Sequence, residues 1–331
     1  MKQRAFEAAH EARWSEFERL IEELDRRGRA SPPRALQDRL AEFPGLYRRI
    51  CHDLAVASER RYSPRLVDRL NRLALAGHRI LYVHDLALAS RVTRFLARDF
   101  ARAVRRDRRP ILVALALFVG PALVFFVAVG LAPELVYSLM TPDRVREFEA
   151  MYDPAATRIG SNRESAEDLM MFGFYVYNNV GIAFRAFAGG LVLGLGSVVV
   201  LVLNGVLLGG VAAHIGHLGF EQTFFSFVIG HGAFELTAIV ISGAAGLELG
   251  WALVAPGPRS RLEALRRAGA RAIELVWGVF AMLLAAALIE AFWSSKTNVD
   301  ASLKFVVGAL LWLGVLAWLG LAGRRGAGTS S

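Results

Sequence analysis

Cysteine is almost absent from this sequence, and its scarcity limits how the protein can be stabilised. Cys51 is the only cysteine in 331 residues, so no disulfide can form within the chain, and a lone thiol fits a reducing compartment. The first 22 residues lack a continuous apolar stretch, so we expect no cleavable signal peptide. The H-E-x-x-H spacing, in which a glutamate beside two zinc ligands activates water, is also missing.

Apolar residues, in contrast, are abundant. Hydrophobic residues make up 54% of the chain, the mean hydropathy is +0.38, and several apolar runs approach 20 residues, the length that crosses a bilayer as a helix. These features indicate an integral membrane protein. We therefore predict an all-α fold: a polytopic membrane bundle of about six spans, with an N-terminal cytosolic helical domain.

Positive charge is concentrated in the first third of the chain. Residues 1–110 contain 25 Lys and Arg against 15 Asp and Glu, whereas residues 111–331 contain 14 against 15. Nucleic acid and anionic lipid headgroups are the two general partners of such a region. We favour lipid because the region adjoins a membrane, and we expect no nucleic acid partner because no aromatic-interleaved or zinc-ligand pattern accompanies the charge.

Residues 1–109 read as the cytosolic helical domain. Ser63-Pro64 is a typical helix start, and Gly28 with residues 31–33 closes the first helical element. Three sets of apolar residues recur at helical spacing: Trp14, Phe17, Leu20, Ile21 and Leu24; Leu40, Phe43, Leu46, Tyr47, Ile50 and Leu54; and Leu66, Leu70, Leu73 and Leu75.

The end of this domain, Arg91–Arg109 followed by Pro110, holds eight arginines with apolar residues between them: Val92, Phe95, Phe100 and Val104. One interpretation is an amphipathic helix that lies on the membrane and grips anionic headgroups. The alternative is that the arginines simply keep the start of the first span in the cytoplasm. Both interpretations place this segment on the same side.

Loop charges set the predicted topology of the membrane domain, residues 110–323. The first span covers 111–131, the acid-rich loop 132–168 suits the outer face, and the basic loop 256–271 suits the cytoplasm. An odd number of crossings must lie between these loops. Three segments fit, although two of them could instead be re-entrant: 170–187, 188–212 and 224–254.

Two further spans, 273–293 and 305–321, lead to a cytoplasmic tail of residues 324–331. Within the basic loop, Ser260 and Glu263 form a capping box for a short helix. We expect a multi-pass protein of the bacterial inner membrane with both termini in the cytoplasm.

The central part of the membrane domain contains polar residues that are costly in hydrocarbon and usually have an interior role. Glu290 joins the set from the outer end of its span, where a carboxylate can be solvated. The predicted intramembrane polar core consists of Asn178, Asn179, Arg185, Asn204, His231, Glu235 and Glu290. The amides can cross-link helices or line a path.

Arg185 and Glu235 are the two groups of this core that are costly to leave unpaired near the centre of the bundle. Either they pair or share a water-filled cavity, or Arg185 lies at the cytoplasmic end of a short span and extends to the interface.

Glycines recur four residues apart, a spacing that lets membrane helices approach backbone to backbone. The predicted helix-packing pairs are Gly190 and Gly194, Gly205 and Gly209, and Gly246 and Gly250. We expect a homo-oligomer, a dimer formed through these faces.

Histidines offer a possible metal site. His214 and His217 share one helix face, as do His231 and Glu235, and three imidazoles with a carboxylate would suit zinc. Because the two pairs could lie at different membrane depths, we predict no metal and no cofactor, and a hydrogen-bonded structural role for His231 and Glu235.

The order of several motifs resembles the stage II sporulation protein M (SpoIIM) family. The motifs are Y-N-N from Tyr177 through Gly190, Asn204-Gly205, G-H-x-x-F-E-L from Gly230 through Gly250, and I-E-A-F-W-S at 289–294. The resemblance implies a role in envelope remodelling, as an assembly platform that acts with cell-wall hydrolases. The N-terminal domain resembles that of longer, non-sporulation members, which implies an envelope or ATPase partner.

Three functions fit these observations. The first is a non-enzymatic assembly or scaffold component of the cell envelope. The second is a transporter, channel or lipid translocase that uses the polar interior around Arg185 and Glu235. The third is an intramembrane metal-dependent hydrolase built on His231 and Glu235.

Overall fold

The computed structural model describes residues 2–27, 34–155, 165–296 and 298–324, and within these ranges all regular structure is helical. Contacts divide the chain into two compact units, which we name the N-terminal unit (Met1–Thr93) and the membrane unit (Arg94–Ser331). Residues 94–109, which the sequence analysis assigns to the first domain, therefore belong with the membrane unit. Of the predicted tail, residues 325–331 lie outside the described residues.

The N-terminal unit consists of three helices, α1 (Gln3–Arg27), α2 (Arg34–Glu59) and α3 (Pro64–Arg94). Its core contains most of the predicted apolar residues, with the largest fully buried side chains being Trp14, Phe17, Phe43, Leu20, Ile50 and Leu70. Helix α3 begins at Pro64, as predicted. Leu75 is the exception, because it points outwards and is 59% exposed. The predicted break at Gly28 and residues 31–33 lies outside the described residues, as does the side chain of Leu40.

The membrane unit begins with a π-helical turn (Phe95–Asp99) and continues, within its described residues, through nine α-helices. These are α4 (Phe100–Arg106), α5 (Arg108–Leu131), α6 (Val136–Leu139), α7 (Pro142–Tyr152), α8 (Ser165–Ala188), α9 (Leu195–His217), α10 (Glu221–Val254), α11 (Arg261–Ile289) and α12 (Ala301–Leu321). Helix α10 is central and packs against α5, α8, α9, α11 and α12. A second π-helical turn (Glu290–Ser294) extends α11.

Five described helices are long and apolar enough to cross a membrane: α5, α9, α10, α11 with its π turn, and α12. The remaining predicted span, residues 170–187, corresponds to α8. This helix is 24 residues long but carries Glu167 and Asp168 in its first turn and Arg185 in its last. At about 1.5 Å per residue, α8 has the length of a span without matching the apolarity of the other five. Helices α8 and α10 are uninterrupted, so neither has the re-entrant form that we considered.

Contacts at the end of α4 bring the predicted cytoplasmic segments together at one end of the membrane unit. Arg105 donates to the carbonyl oxygens of Leu319 and Ala322 at the end of α12, both at 2.5 Å. Arg106 pairs with Glu274 in the middle of α11 at 2.8 Å. In the basic loop, the amide of Glu263 donates to the Ser260 hydroxyl, so Ser260 caps a helix as predicted, but that helix is the 29-residue α11 and not a short one. We call this the basic end.

Helix α4 forms part of the predicted amphipathic segment, and its apolar side packs inside the membrane unit. Its apolar residues, among them Phe100 and Val104, are buried against α11 and α12, and the Phe100 ring packs 5.4 Å from the Trp318 ring. A side chain at Gly278 on α11 would overlap that Phe100 ring. The apolar face is therefore covered by protein, and the arginines around it fasten the start of α5 to the end of α12.

The predicted glycine pairs pack within the chain. A side chain at Gly205 or Gly209 on α9 would overlap backbone oxygens of α5. Gly246 lies against the backbone of Gly190, and Gly250 against that of Gly194, which has φ of +85° and starts α9. These glycines allow helix backbones to touch, which is the role predicted for them. The contacts described for these glycines all lie within the chain.

Candidate functional site

Helix α10 and the π turn after α11 bring three potential metal ligands together inside the membrane unit. His231 and Glu235 lie on one face of α10, and their Nε2 and Oε2 atoms are 3.9 Å apart. Glu290 joins them from the π turn after α11, so that one ligand atom from each residue lies within 4.8 Å of the others. We call these three residues the carboxylate–histidine cluster. The predicted pair of His231 and Glu235 thus gains a third member from a distant part of the sequence.

Glu290 differs from its sequence interpretation. A carboxylate near the end of a span was expected to be solvated, yet Glu290 is only 8% exposed and its Oε2 atom has no hydrogen-bond partner. The wider π turn directs this side chain towards α10. The sequence places Glu290 and Ser294 four residues apart in the I-E-A-F-W-S motif, and this spacing was the available signal.

Ser294 orients the imidazole of the cluster. Its hydroxyl lies 3.2 Å from His231 Nδ1, which leaves the Nε2 atom facing Glu235. The Phe227 ring meets the imidazole edge-on with 5.1 Å between centroids and closes the other side. His231 is therefore held in one orientation by a polar and an apolar neighbour, and Ser294 is a residue of the site that the sequence analysis missed.

Asn179 on α8 is the amide that reaches this region. It is 2% exposed, and it is the polar neighbour of both Glu235 and Glu290. Its Oδ1 accepts from the exposed Asn178 at 2.9 Å, whereas its buried Nδ2 has no partner within hydrogen-bonding distance. Of the two adjacent asparagines, only Asn179 belongs to the interior.

Arg185 is not part of the cluster. It is exposed in the last turn of α8, and the predicted ion pair with Glu235 is absent from the described residues. Arg185 follows Asn179 by six residues, which corresponds to about 9 Å along the helix and a different face. The position agrees with the alternative in which this arginine extends towards the interface.

The second histidine pair is also separate from the cluster. His214 is buried and pairs through Nε2 with Glu149 of α7 at 2.8 Å, while His217 is exposed at the end of α9. The four residues considered as a metal set, His214, His217, His231 and Glu235, are therefore not brought together. Glu149 was another residue that the sequence analysis did not select.

A cavity of about 230 Å³ opens beside the cluster. His231 and Glu235 line it, together with Asn204 of α9 and Tyr152 at the end of α7, and its remaining wall is mostly apolar. Asn204 donates to the Val200 carbonyl oxygen of its own helix at 2.7 Å. Burial, followed by the nearby charges of Glu290 and other acidic groups, raises the pKa of Tyr152, so its hydroxyl stays protonated.

A second, larger space of about 870 Å³ lies at the basic end. Arg108 and Arg109 are exposed at its rim, and Trp251 belongs to its apolar wall. Arg106 is already held by Asp107 and Glu274, and these carboxylates raise its pKa, Asp107 more than Glu274. The space therefore combines exposed positive charge with an apolar surface.

Comparisons with known proteins agree with the division of the chain. The family described as Stage II sporulation protein M matches residues 112–295, and the family described as Domain of unknown function (DUF8413) matches residues 4–83. No curated protein and no solved structure matches the chain. The first match covers more than half of the 331 residues and includes the whole carboxylate–histidine cluster. This membrane protein therefore belongs to the stage II sporulation protein M family.

Proposed function

We propose that the protein is a non-enzymatic assembly component of the bacterial cell envelope. In this proposal the membrane unit is a fixed anchor in the inner membrane, and the N-terminal unit receives a partner in the cytoplasm. The observation that carries the proposal is the backbone contact of α9 with α5 and of α10 with the segment before α9, at glycines that admit no side chain. Packing of this kind favours a rigid frame over a rearranging one.

The orientation follows from the charges at the two ends of the membrane unit. The basic end contains Arg105, Arg106 and the basic loop 256–271, whereas α7 and Asp168 at the start of α8 are acidic. Cytoplasmic ends of membrane proteins carry the excess of arginine. We therefore place the basic end, the N-terminal unit and the end of α12 in the cytoplasm.

The N-terminal unit offers a groove of about 370 Å³ for a partner. Its rim includes the exposed Arg48 and Arg49, and His52 also lines it, so an acidic segment would be electrostatically complementary. We propose that an envelope protein or an ATPase, as the family resemblance implies, presents such a segment. A dimer remains part of the proposal, but it would use faces other than the internal glycine contacts.

Membrane lipids are the second proposed partner. Arg108 and Arg109 face the 870 Å³ space at the basic end, where an anionic headgroup would meet both guanidinium groups. An acyl chain would then follow the apolar wall at Trp251. Such a contact would fix the depth of the membrane unit without contributing chemistry.

Transport is a second candidate function, favoured by the 230 Å³ cavity beside His231 and Glu235. The cavity contains polar groups that a small cation or a proton could use. Of the residues expected along such a path, Glu235 lines this cavity, whereas Asn178, Asn179 and Arg185 do not. A transporter would need this cavity to connect to both sides of the membrane.

Site-specific photocross-linking in cells tests the assembly proposal. A photoreactive residue at Arg48 should give one defined adduct that is lost in the R49E background, while the same residue at the exposed Arg65 should not give it. Identical adducts at both positions, or none at Arg48, would contradict the docking role. Purified protein in liposomes should show no ion flux. A flux abolished by E235Q would replace the proposal with transport.

A further inference from the structure

We propose that His231, Glu235 and Glu290 bind a divalent transition-metal ion of the zinc class. The three residues come from two helices that pack along their length, and each offers one ligand atom within 4.8 Å of the other two. Three protein ligands are the usual number in zinc sites that keep one position open. This assignment replaces the hydrogen-bonded structural role expected from the sequence.

The geometry requires only a small adjustment to hold an ion. An ion at the centre of a triangle with 4.8 Å sides would lie about 2.8 Å from each corner, compared with zinc–ligand distances of about 2.0–2.2 Å. A change of side-chain torsion in each residue closes a gap of well under 1 Å. The helices themselves would not need to move.

Charge balance supplies an independent argument. Glu290 is 8% exposed and its Oε2 atom has no partner, so part of a buried carboxyl group is directed into the cluster without a hydrogen bond. The buried Lys304 donates through Nζ to the backbone oxygen of Ser294 at 2.8 Å and forms no ion pair with Glu290. In the described part of the chain neither Glu235 nor Glu290 forms an ion pair with a lysine or an arginine, and a divalent ion between them would supply a direct cationic partner.

Neighbouring polar groups orient the three residues as metal ligands. The Ser294 hydroxyl at 3.2 Å fixes His231 through Nδ1 and directs Nε2 inwards, the arrangement that positions metal-binding imidazoles. The unpartnered Nδ2 of Asn179 neighbours both carboxyl groups and would donate to a carboxylate oxygen that ligates the ion. Both contacts orient ligands and do not bind the metal.

The ligand types decide the class of ion. One imidazole with two carboxylates suits zinc, manganese or iron(II) better than calcium or magnesium, which prefer oxygen ligands alone. His231 and Glu235 also line the 230 Å³ cavity, so the open position would face a space where water can enter. Tyr152, which stays protonated, lines the same space.

Zinc titration of the full chain in lipid nanodiscs tests the proposal. The protein, freed of any histidine tag and stripped with EDTA, should bind one zinc ion per chain in competition with a chromophoric chelator. Replacing a ligand, in E290Q or in E235Q, should lower the affinity by at least about 100-fold. The control E149Q, which changes a glutamate paired with another buried histidine, should bind like the unchanged chain.

Thermal unfolding separates loss of a ligand from loss of the fold. Zinc should raise the unfolding temperature of the unchanged chain and of E149Q, and it should not raise that of E290Q. Without zinc, E290Q should unfold no earlier than the unchanged chain, because glutamine removes a buried charge. Failure of the unchanged chain to bind zinc, or equal binding by E290Q and E235Q, would overturn the proposal.

Discussion

Asp53 in the N-terminal unit and Glu290 in the membrane unit are both buried carboxylates, but among the described residues only Asp53 has a charged partner. In the N-terminal unit Asp53 is 1% exposed and fully engaged, since it accepts from Arg13 at 2.6 Å and from the Trp14 indole at 2.9 Å. In the membrane unit Glu290 is 8% exposed and has an oxygen without a partner. A paired carboxylate stabilises a fold, whereas an unpaired one at a similar depth requires another explanation.

The comparison also extends to packing. The N-terminal unit fills its core with large side chains such as Trp14, Phe17 and Phe43, while the membrane unit brings backbones into contact at Gly205 and Gly246. Water favours burial of large apolar surfaces, but lipid provides little such driving force between helices. In the membrane unit, close backbone contact at small residues therefore contributes part of the stabilisation that burial of large side chains contributes in the N-terminal unit.

The largest effect is expected from D53A in the N-terminal unit. Removing the carboxylate leaves Arg13 and the Trp14 indole without their partner, and we expect a loss of about 3 kcal/mol. Hydrogen exchange of α1 and α2 amides in the full chain measures this local stability. The exposed Asp68 provides the control, D68A, which should change little. If D53A did not lower the stability of the N-terminal unit, the contrast between Asp53 and Glu290 would not hold.

A somewhat smaller effect is expected from G246A in the membrane unit. The added methyl group would overlap the Ser197 hydroxyl and the backbone of Ala186, so we expect a loss of about 1–3 kcal/mol. Gly269 on α11 has open space around it, and G269A should be neutral or slightly stabilising. Thermal unfolding in nanodiscs compares the two. Equal midpoints would show that the backbone contacts do not control packing.

The direction of the stability change in E235Q is expected to differ from that in D53A. If Glu235 has no permanent cationic partner, glutamine should lower the stability of the metal-free membrane unit by less than about 1 kcal/mol, or raise it. This outcome is opposite to that of D53A. Thermal unfolding after EDTA treatment measures it. A loss as large as that of D53A would mean that Glu235 has a structural partner and that the contrast is false.

The smallest effect concerns an exposed pair in the N-terminal unit. Hydrogen bonds from Arg69 lower the pKa of Glu11 below its ordinary value of 4.5. A lowered folded pKa contributes stability above the unfolded pKa, and the contribution disappears as pH falls through the folded pKa. Because Glu11 is 47% exposed, we expect less than about 1 kcal/mol. Hydrogen exchange near Glu11 should show that local stability falls between pH 6 and pH 3 in the unchanged chain. In E11Q this part of the pH dependence should be absent.

Sequence patterns predicted the fold well because they reflect local constraints. Helical spacing located α1 to α3, and Ser260 with Glu263 located the start of α11. Apolar runs located the five long spans. They did not show that the apolar side of α4 would be covered by α11 and α12, because that depends on which helices become neighbours.

The candidate site was only partly predictable for the same reason. His231 and Glu235 are four residues apart, so one helix places them on one face. Glu290 reaches them from 55 positions further along the sequence than Glu235, through a π turn that spacing does not announce. Arg185 was predicted to pair with Glu235 because an unpaired charge is costly in hydrocarbon. Its position at the end of α8 exposes it at the surface instead.

X-ray absorption at the zinc edge of the loaded, tag-free protein tests most directly whether the unpaired carboxylates form a site. The account predicts one nitrogen and two or three oxygen ligands at about 2.0–2.2 Å, with the spectrum lost from E290Q. A sulfur ligand at about 2.3 Å, which only a cysteine or methionine site could supply, or a shell of several imidazoles, would place the metal elsewhere and contradict it.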